Sequence, residues 1–244
     1  MEHNNDIKTN IALITGGSRG IGFAVAHKLI EMNCFVIVTC TNPDNISLVE
    51  NKLFKSEKSN NGIVTVLDVR NEEQIQGLSH LIAERYGKLD YLINCAGIME
   101  KSQSTVKDEK SSNWDEVIDI NLKGSFLMCK YMIPLLELSS NPHIINISGG
   151  LGLFSNGMAG GTLPAYRISK TGINALSLIL SEELKENKIM VNSVDPGWVR
   201  TDLGGKDAPK TPEEAANDII CVLEAPFDLK KSGALIKEGH IISY

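Results

Sequence analysis

Tyr166 and Lys170 stand four residues apart in "PAYRISKTGINAL", residues 164–176, directly behind a proline. Residues at this spacing share one face of a helix. The pattern therefore stacks a phenol against an ammonium. A free phenol titrates near ~10, and burial alone pushes it higher. An ammonium about 4 Å away, at an effective dielectric near ~20, supplies ~4 kcal/mol, equivalent to roughly 3 pKa units. The spacing predicts a tyrosine acidic enough to exchange protons with a substrate. Two residues make a cheap motif, and in the bland reading both simply lie on the surface. The surrounding chain has to decide.

Six short, near-continuous apolar runs punctuate that chain: "IALIT", "CFVIVTC", "IVTVLDV", "YLINCA", "HIINIS" and "MVNSVD". Runs of this kind mark strands covered on both faces of a parallel sheet. Helix-like segments begin near Ile21, Asn45, Asn71, Ser111, Pro164 and Thr211, with Asn71 and Thr211 as N-caps ahead of acidic first turns. The alternation predicts an α/β fold, a doubly wound parallel sheet of Rossmann type. The 244 residues, 42% hydrophobic and 22% charged, suit one domain over 11–244 behind a flexible tail at 1–10.

Composition also removes function classes. A net charge of -6 without a dense basic run argues against nucleic acid as the partner. No apolar run reaches the ~20 residues of a membrane helix, and the start "MEHNNDIKTN" is more polar than is expected of a signal peptide. Five scattered cysteines (Cys34, Cys40, Cys95, Cys129 and Cys221) show no metal-ligand spacing. They are expected to be reduced thiols of a cytoplasmic protein, which carries no metal site.

The exit of the first predicted strand reads "LITGGSRGIG", with Gly16, Gly20 and Gly22 between strand and helix. Glycines permit a tight turn and a close backbone approach, and a helix N-terminus offers free N–H groups to a pyrophosphate. Further along, Asn94-Cys95-Ala96-Gly97 closes the fourth strand, Asn121 lies in "DINLKGSF", Ser148 follows the fifth strand, and Pro196-Gly197 precedes Thr201. Taken in this order with Tyr166 and Lys170, the chain resembles the short-chain dehydrogenase/reductase family over nearly its whole length.

That resemblance implies a catalytic set of Asn121, Ser148, Tyr166 and Lys170. It implies cofactor contacts from Gly16, Ser18, Arg19, Gly20, Ile21, Gly22, Thr41, Asp68, Val69, Asn94, Ala96, Gly97, Pro196, Gly197, Val199 and Thr201, joined by Tyr166 and Lys170. In the family's scheme Asp68 meets the adenine, Thr201 the nicotinamide amide, and Asn121 holds a water that links Lys170 to solvent. Homodimers or homotetramers are also expected from the resemblance, through the helices containing Asn121 and Tyr166.

Cofactor choice turns on the second strand's end, Thr39-Cys40-Thr41-Asn42, which carries no carboxylate to repel a 2′-phosphate. With Arg19 in the turn, NADPH/NADP+ is expected in preference to NADH, although a solvated Arg19 is the alternative. The wording "DPGWVRTDLGG" and "APKTPEEAA" is similar to the family's carbonyl reductases, so the small-molecule substrate is expected to be an apolar ketone or aldehyde and its alcohol. Leu153, Phe154 and Met158 are expected in one pocket wall. The segment after Gly197 is expected as a lid, with Trp198 and Leu203 either touching substrate or belonging to the core or a subunit contact. A 3-oxoacyl-carrier reductase, a polyol or steroid dehydrogenase, and a non-catalytic NADP(H) sensor remain as other readings.

Overall fold

The computed structural model describes residues 9–54, 61–156, 158, 160–225, 228 and 231–244. The chain runs β1 (Ile11–Ile14), α1 (Gly20–Glu31), β2 (Phe35–Cys40), α2 (Ile46–Leu53), β3 (Gly62–Val66), α3 (Glu72–Tyr86) and β4 (Tyr91–Asn94). It continues through α4 (Ser111–Ile118), α5 (Gly124–Leu136), β5 (His143–Ile147), α6 (Pro164–Glu183), β6 (Met190–Val194), α7 (Pro212–Glu224), β7 (Leu235–Lys237) and β8 (His240–Ile242). All six predicted strands and every predicted helix start are present, within a residue or two.

One eight-stranded sheet has the order β3-β2-β1-β4-β5-β6-β7-β8. The first seven strands are parallel and β8 returns antiparallel to β7. Because the winding reverses between β1 and β4, their carboxyl ends part and leave a crevice there.

Alternation within the buried strands assigns the two cores. Ala12 and Ile14 pack with Val25 and Leu29 of α1 and Ile219 of α7, whereas Ile11 and Leu13 pack with Ile75 of α3 and Met128 and Met132 of α5. Each such fully buried aliphatic side chain contributes ~1.5–3 kcal/mol, which makes the sheet a rigid platform for the groups at its edge.

Local signals behave as their chemistry requires. Asn71 Oδ1 accepts from Gln74 N at the start of α3, and Gly87 ends that helix at φ +73. Thr211 and Glu214 form a reciprocal capping box at α7. Between α4 and α5 the helix widens into a π-turn at Asp119–Lys123, which carries Asn121. Such one-turn insertions tend to mark functional positions.

Residues 1–8, most of the expected tail, lie outside the described residues. By Asn10 the chain is pinned, for its carbonyl accepts from Phe35 N and its side chain donates to the Tyr91 hydroxyl.

Candidate active site

The glycine turn is built by what is missing from it. Thr15 Oγ1 accepts from Cys95 N at 3.0 Å and Ala96 N at 3.1 Å, joining the exits of β1 and β4. Gly16 takes φ +65, and a Cβ there would fall 2.9 Å from Ala96 Cα. A Cβ on Gly22 would fall 2.7 Å from Gly16 O. Neither position tolerates a side chain. The first turn of α1 has no side-chain cap and no acidic residue. Its free N–H groups and positive dipole end therefore suit a pyrophosphate. Ser18 is half-buried, and Ile21 packs against the α1 side of the core.

Arg19 leaves this turn for solvent, where Nη1 meets Asp202 Oδ2 at 2.6 Å, and Thr201 Cγ2 lies against Gly20. The segment after Gly197 thus rests on the turn. A bridge from Val199 to Lys210 closes its base. Trp198 and Leu203 are 58% and 39% exposed, so neither belongs to the core. Thr201 Oγ1 accepts from Gly204 N, and Gly197 N donates to Asp195 Oδ1.

Other expected cofactor contacts divide. Thr41 is exposed beyond β2, and the Asn42 side chain accepts from Asp44 N. The Asp68 carboxylate is gripped by Arg70, whose guanidinium holds it below the usual carboxylate range. Val69 turns inward against Gly124. The Asn94 side chain donates to Asn146 Oδ1 at 2.8 Å and is buried between strands, which leaves its backbone at the β4 exit for the expected contact. Asn146 passes the link to Ser177, and Ser177 receives Ser193. A buried polar chain therefore ties β4, β5, α6 and β6 together beneath the site. Leu153 is likewise buried, while Phe154 is 68% exposed, so the expected pocket wall is only partly assembled.

Above that chain the four expected catalytic residues converge. Lys170 Nζ donates to Ile147 O at 2.8 Å and sits 5.5 Å from the centroid of the Tyr166 ring. The Tyr166 hydroxyl is close to Gly149, directly after Ser148, since a Cβ on that glycine would lie 3.6 Å from it. Asn121 exchanges two hydrogen bonds with the Ile98 backbone and donates to Ser169 Oγ. Gly97 separates Asn121 from Lys170: a Cβ there would lie 3.4 Å from Asn121 Oδ1 and 3.7 Å from Lys170 Nζ. The absent side chain leaves a gap bounded by both.

One expectation is reversed. Tyr166 is pushed up to about 12, first by burial and then by the Asp195 and Glu100 carboxylates. Lys170 is pushed down to about 8 by burial. Part of Tyr166 still reaches solvent. Even so, the ammonium lies 5.5 Å from the ring centroid, and two carboxylates oppose it. In the protein alone burial wins.

Three neighbours escaped the sequence reading. Ser148 Oγ donates to Asn174 Oδ1 at 2.6 Å, and Asn174 Nδ2 is buried without a partner. Asn174 continues the Tyr166 and Lys170 face by another four residues, so helical spacing could have found it. Turning its amide over would let Nδ2 donate to Ser148 and free the Ser148 proton. Asp195, 1% exposed, has an Oδ2 that accepts no hydrogen bond and is ion-paired with Lys237 Nζ at 3.5 Å. Glu100, 5% exposed, accepts from Ala165 N and Tyr166 N. Asp195 lies in the quoted "DPGWVRTDLGG" without being singled out, and no motif marked Glu100.

Two open hollows lie apart from this constellation. One of about 400 Å³ opens at the amino edge around Phe35, Arg85 and Tyr86, and one of about 610 Å³ lies behind Trp198 and Lys210. Size alone does not outweigh the chemistry gathered at Tyr166. Among the described residues no cluster of His, Cys, Asp and Glu could hold a metal, and no helix is long and apolar enough to cross a membrane.

A doubly wound sheet with a phosphate-ready turn and a Ser-Tyr-Lys cluster at one crevice defines an oxidoreductase that uses a nicotinamide dinucleotide. The short-chain dehydrogenase family model matches residues 10–212, so the chain belongs to the short-chain dehydrogenase/reductase family. It is 31% identical over 222 residues to the short-chain dehydrogenase anuI of Penicillium roqueforti, covering 86% of each chain. It is 30% identical over 215 residues to the 3-oxoacyl-[acyl-carrier-protein] reductase FabG of Thermotoga maritima, covering 87% of this chain and 83% of that one. Among solved structures it is similar to an NADPH-bound carbonyl reductase from chicken fatty liver, with TM-score 0.88, 26% identity and coverage of 98% of this chain and 100% of that one. Carbonyl reductase Sniffer of D. melanogaster gives TM-score 0.87 at 26% identity, covering 97% of this chain and 100% of Sniffer. The protein is thus carbonyl-reductase-like within its family.

Proposed function

We propose that the protein reduces the carbonyl of an apolar ketone or aldehyde with NADPH, and that Tyr166 delivers the proton. The observation that carries this reading is the Tyr166 hydroxyl beside Gly149, next to Ser148, with Lys170 under its ring. When bound, a reduced nicotinamide would supply the hydride for the carbonyl carbon. Tyr166, pushed up to about 12, holds its proton at neutral pH, the form that reduction requires, and gives it to the developing alkoxide. Ser148 donates to the same oxygen and orients it, once the Asn174 amide is turned over so that Nδ2 donates to Ser148 in place of the present bond to Oδ1. Lys170, fixed by Ile147 O, provides a cation for the nicotinamide ribose and the phenolate. A water in the gap at Gly97 would lie between Asn121 Oδ1 and Lys170 Nζ and would let the proton be replaced.

Gly16, Gly20, Gly22 and the open first turn of α1 would hold the pyrophosphate, and Arg19 would favour a 2′-phosphate over a bare ribose. The NADPH in the chicken carbonyl reductase supports that choice. Five cysteines without disulfides support a cytoplasmic location. Phe126 of α5 and Ile168 and Ile179 of α6, 48%, 48% and 62% exposed, support assembly into a homodimer or homotetramer.

The test is loss of NADPH absorbance with simple ketones, aldehydes and acyl thioesters side by side, repeated with NADH. Reduction of ketones or aldehydes with NADPH supports the reading. Reduction of thioesters alone moves the protein to the 3-oxoacyl branch that its likeness to FabG allows. Dinucleotide binding with no turnover on any carbonyl makes it a sensor.

A further inference from the structure

We infer that Glu100 is the N-terminal cap of α6 and, through it, the positioning residue of Tyr166; the catalytic part of this inference rests on the function proposed above. Helix α6 begins without ordinary capping chemistry. Leu163 occupies its N-cap in the left-handed region, φ 58 and ψ 52, and has no side-chain oxygen to offer. Pro164 has no N–H. The first two free amides are therefore those of Ala165 and Tyr166, and buried orphan amides at a helix start are costly. Glu100 serves both from 65 residues away. Its Oε1 accepts from Ala165 N at 2.7 Å and from Tyr166 N at 3.2 Å, and its Oε2 accepts from Tyr166 N at 3.3 Å.

The placement joins two jobs. Glu100 follows the β4 exit by a few residues, so it bolts the start of α6 to the segment that carries Ala96 and Gly97. The backbone of Tyr166 is held directly, which fixes where the phenol starts. The carboxylate also faces the positive end of the α6 dipole, where a negative charge is favoured. It is one of the two carboxylates that push Tyr166 up.

The charged surroundings of the phenol are Lys170 from α6, Glu100 from the β4 exit, and Asp195 from the β6 exit with Lys237 of β7 at 3.5 Å. The Cys95 thiol bears on Lys170. Removing only the charge of Glu100 leaves the other groups in place.

Two variants separate geometry from charge. Glu100→Leu removes the acceptors, whereas Glu100→Gln keeps an oxygen within reach of both amides. Amide hydrogen exchange across residues 164–168 is followed with the pH dependence of kcat and the KM for NADPH. In Glu100→Leu the exchange is expected to quicken roughly tenfold or more, and kcat to fall more than about tenfold with KM within about twofold. In Glu100→Gln both recover to within about threefold of wild type, and the alkaline limb of kcat moves acidward by roughly half a unit or more. Wild-type exchange and kcat in Glu100→Leu overturn the inference, as does an alkaline limb in Glu100→Gln that does not move. Should the leucine variant not fold, the glutamine variant decides through its pH profile. A wild-type protein that reduces no carbonyl defeats the proposed function instead, and the exchange data then decide the cap alone.

Discussion

At the exit of β1 the chain comes close to itself because side chains are absent; at the exit of β5 it is held in place by side chains that are present. The first region is glycine at positions 16, 17, 20 and 22, where added Cβ atoms would meet backbone or neighbours at 2.7 to 3.1 Å. The second is Ser148, Tyr166, Lys170 and Asn174, each hydrogen-bonded into the frame or packed against it. A binding site for a phosphate needs exposed backbone amides and an unopposed helix end. A proton-transfer site needs titratable groups held still, with their charges balanced by burial and neighbours. The two halves of the sheet meet these needs by opposite means.

The comparison predicts that the halves can be damaged separately. After the loss of Tyr166 itself, the largest such effect is again in the second half. Ser148→Ala is expected to lower kcat by about 10²–10³-fold, the usual loss on removing one oxyanion donor, while NADPH binding measured by fluorescence titration stays near wild type. Equal losses in binding and turnover would dissolve the distinction between the regions.

Next in size is a pH effect on stability, again confined to the second half. Lys170 titrates at about 8 in the fold against 10.5 as its ordinary value. Between those pH values the unfolded chain binds the extra proton, so this group's contribution makes stability rise with pH. The gain is about 2 kcal/mol from near pH 8 to near pH 9.5. Buried thiols such as Cys34 and Cys129, pushed up to about 11 and 12, act oppositely above pH 9. The clean readout is therefore the difference between wild type and Lys170→Met in urea unfolding. Wild type should gain on the variant across that window, and parallel curves would remove the buried ammonium from the account.

The smallest effect belongs to the first half. Arg19 is exposed and paired with Asp202, and exposed ion pairs contribute little to stability. Arg19→Ala should leave the melting temperature unchanged and weaken NADPH about tenfold, with NADH nearly unaffected. Equal weakening of both dinucleotides would leave Arg19 a surface residue held by Asp202.

How far the sequence could be read follows the same division. Strands buried on both faces announce themselves as apolar runs, and a glycine turn is legible because its function is carried by residue type and spacing. Tyr166, Lys170, Ser148 and Asn121 were legible as a set through family order, although the conformation of Asn121, in a π-turn, was not. The polar supports were hidden. Glu100 reaches α6 across 65 residues, and Asn94 reaches Asn146 across a strand pair, so no local pattern records them. The raised Tyr166 is hidden from the sequence for a related reason. Spacing supplied the cation on the same helix, but the opposing carboxylates come from elsewhere in the chain. The strands β7 and β8, three residues each, were too short to show a period.

The central claim is that a half-buried phenol transfers the proton at a site whose dinucleotide cradle is built independently. It is tested most directly by Tyr166→Phe, with single-turnover reduction of a ketone and NADPH titration performed on the same sample. The account predicts that reduction slows by about 10³-fold or more while NADPH binds as in wild type. Reduction at the wild-type rate by the phenylalanine variant would contradict it.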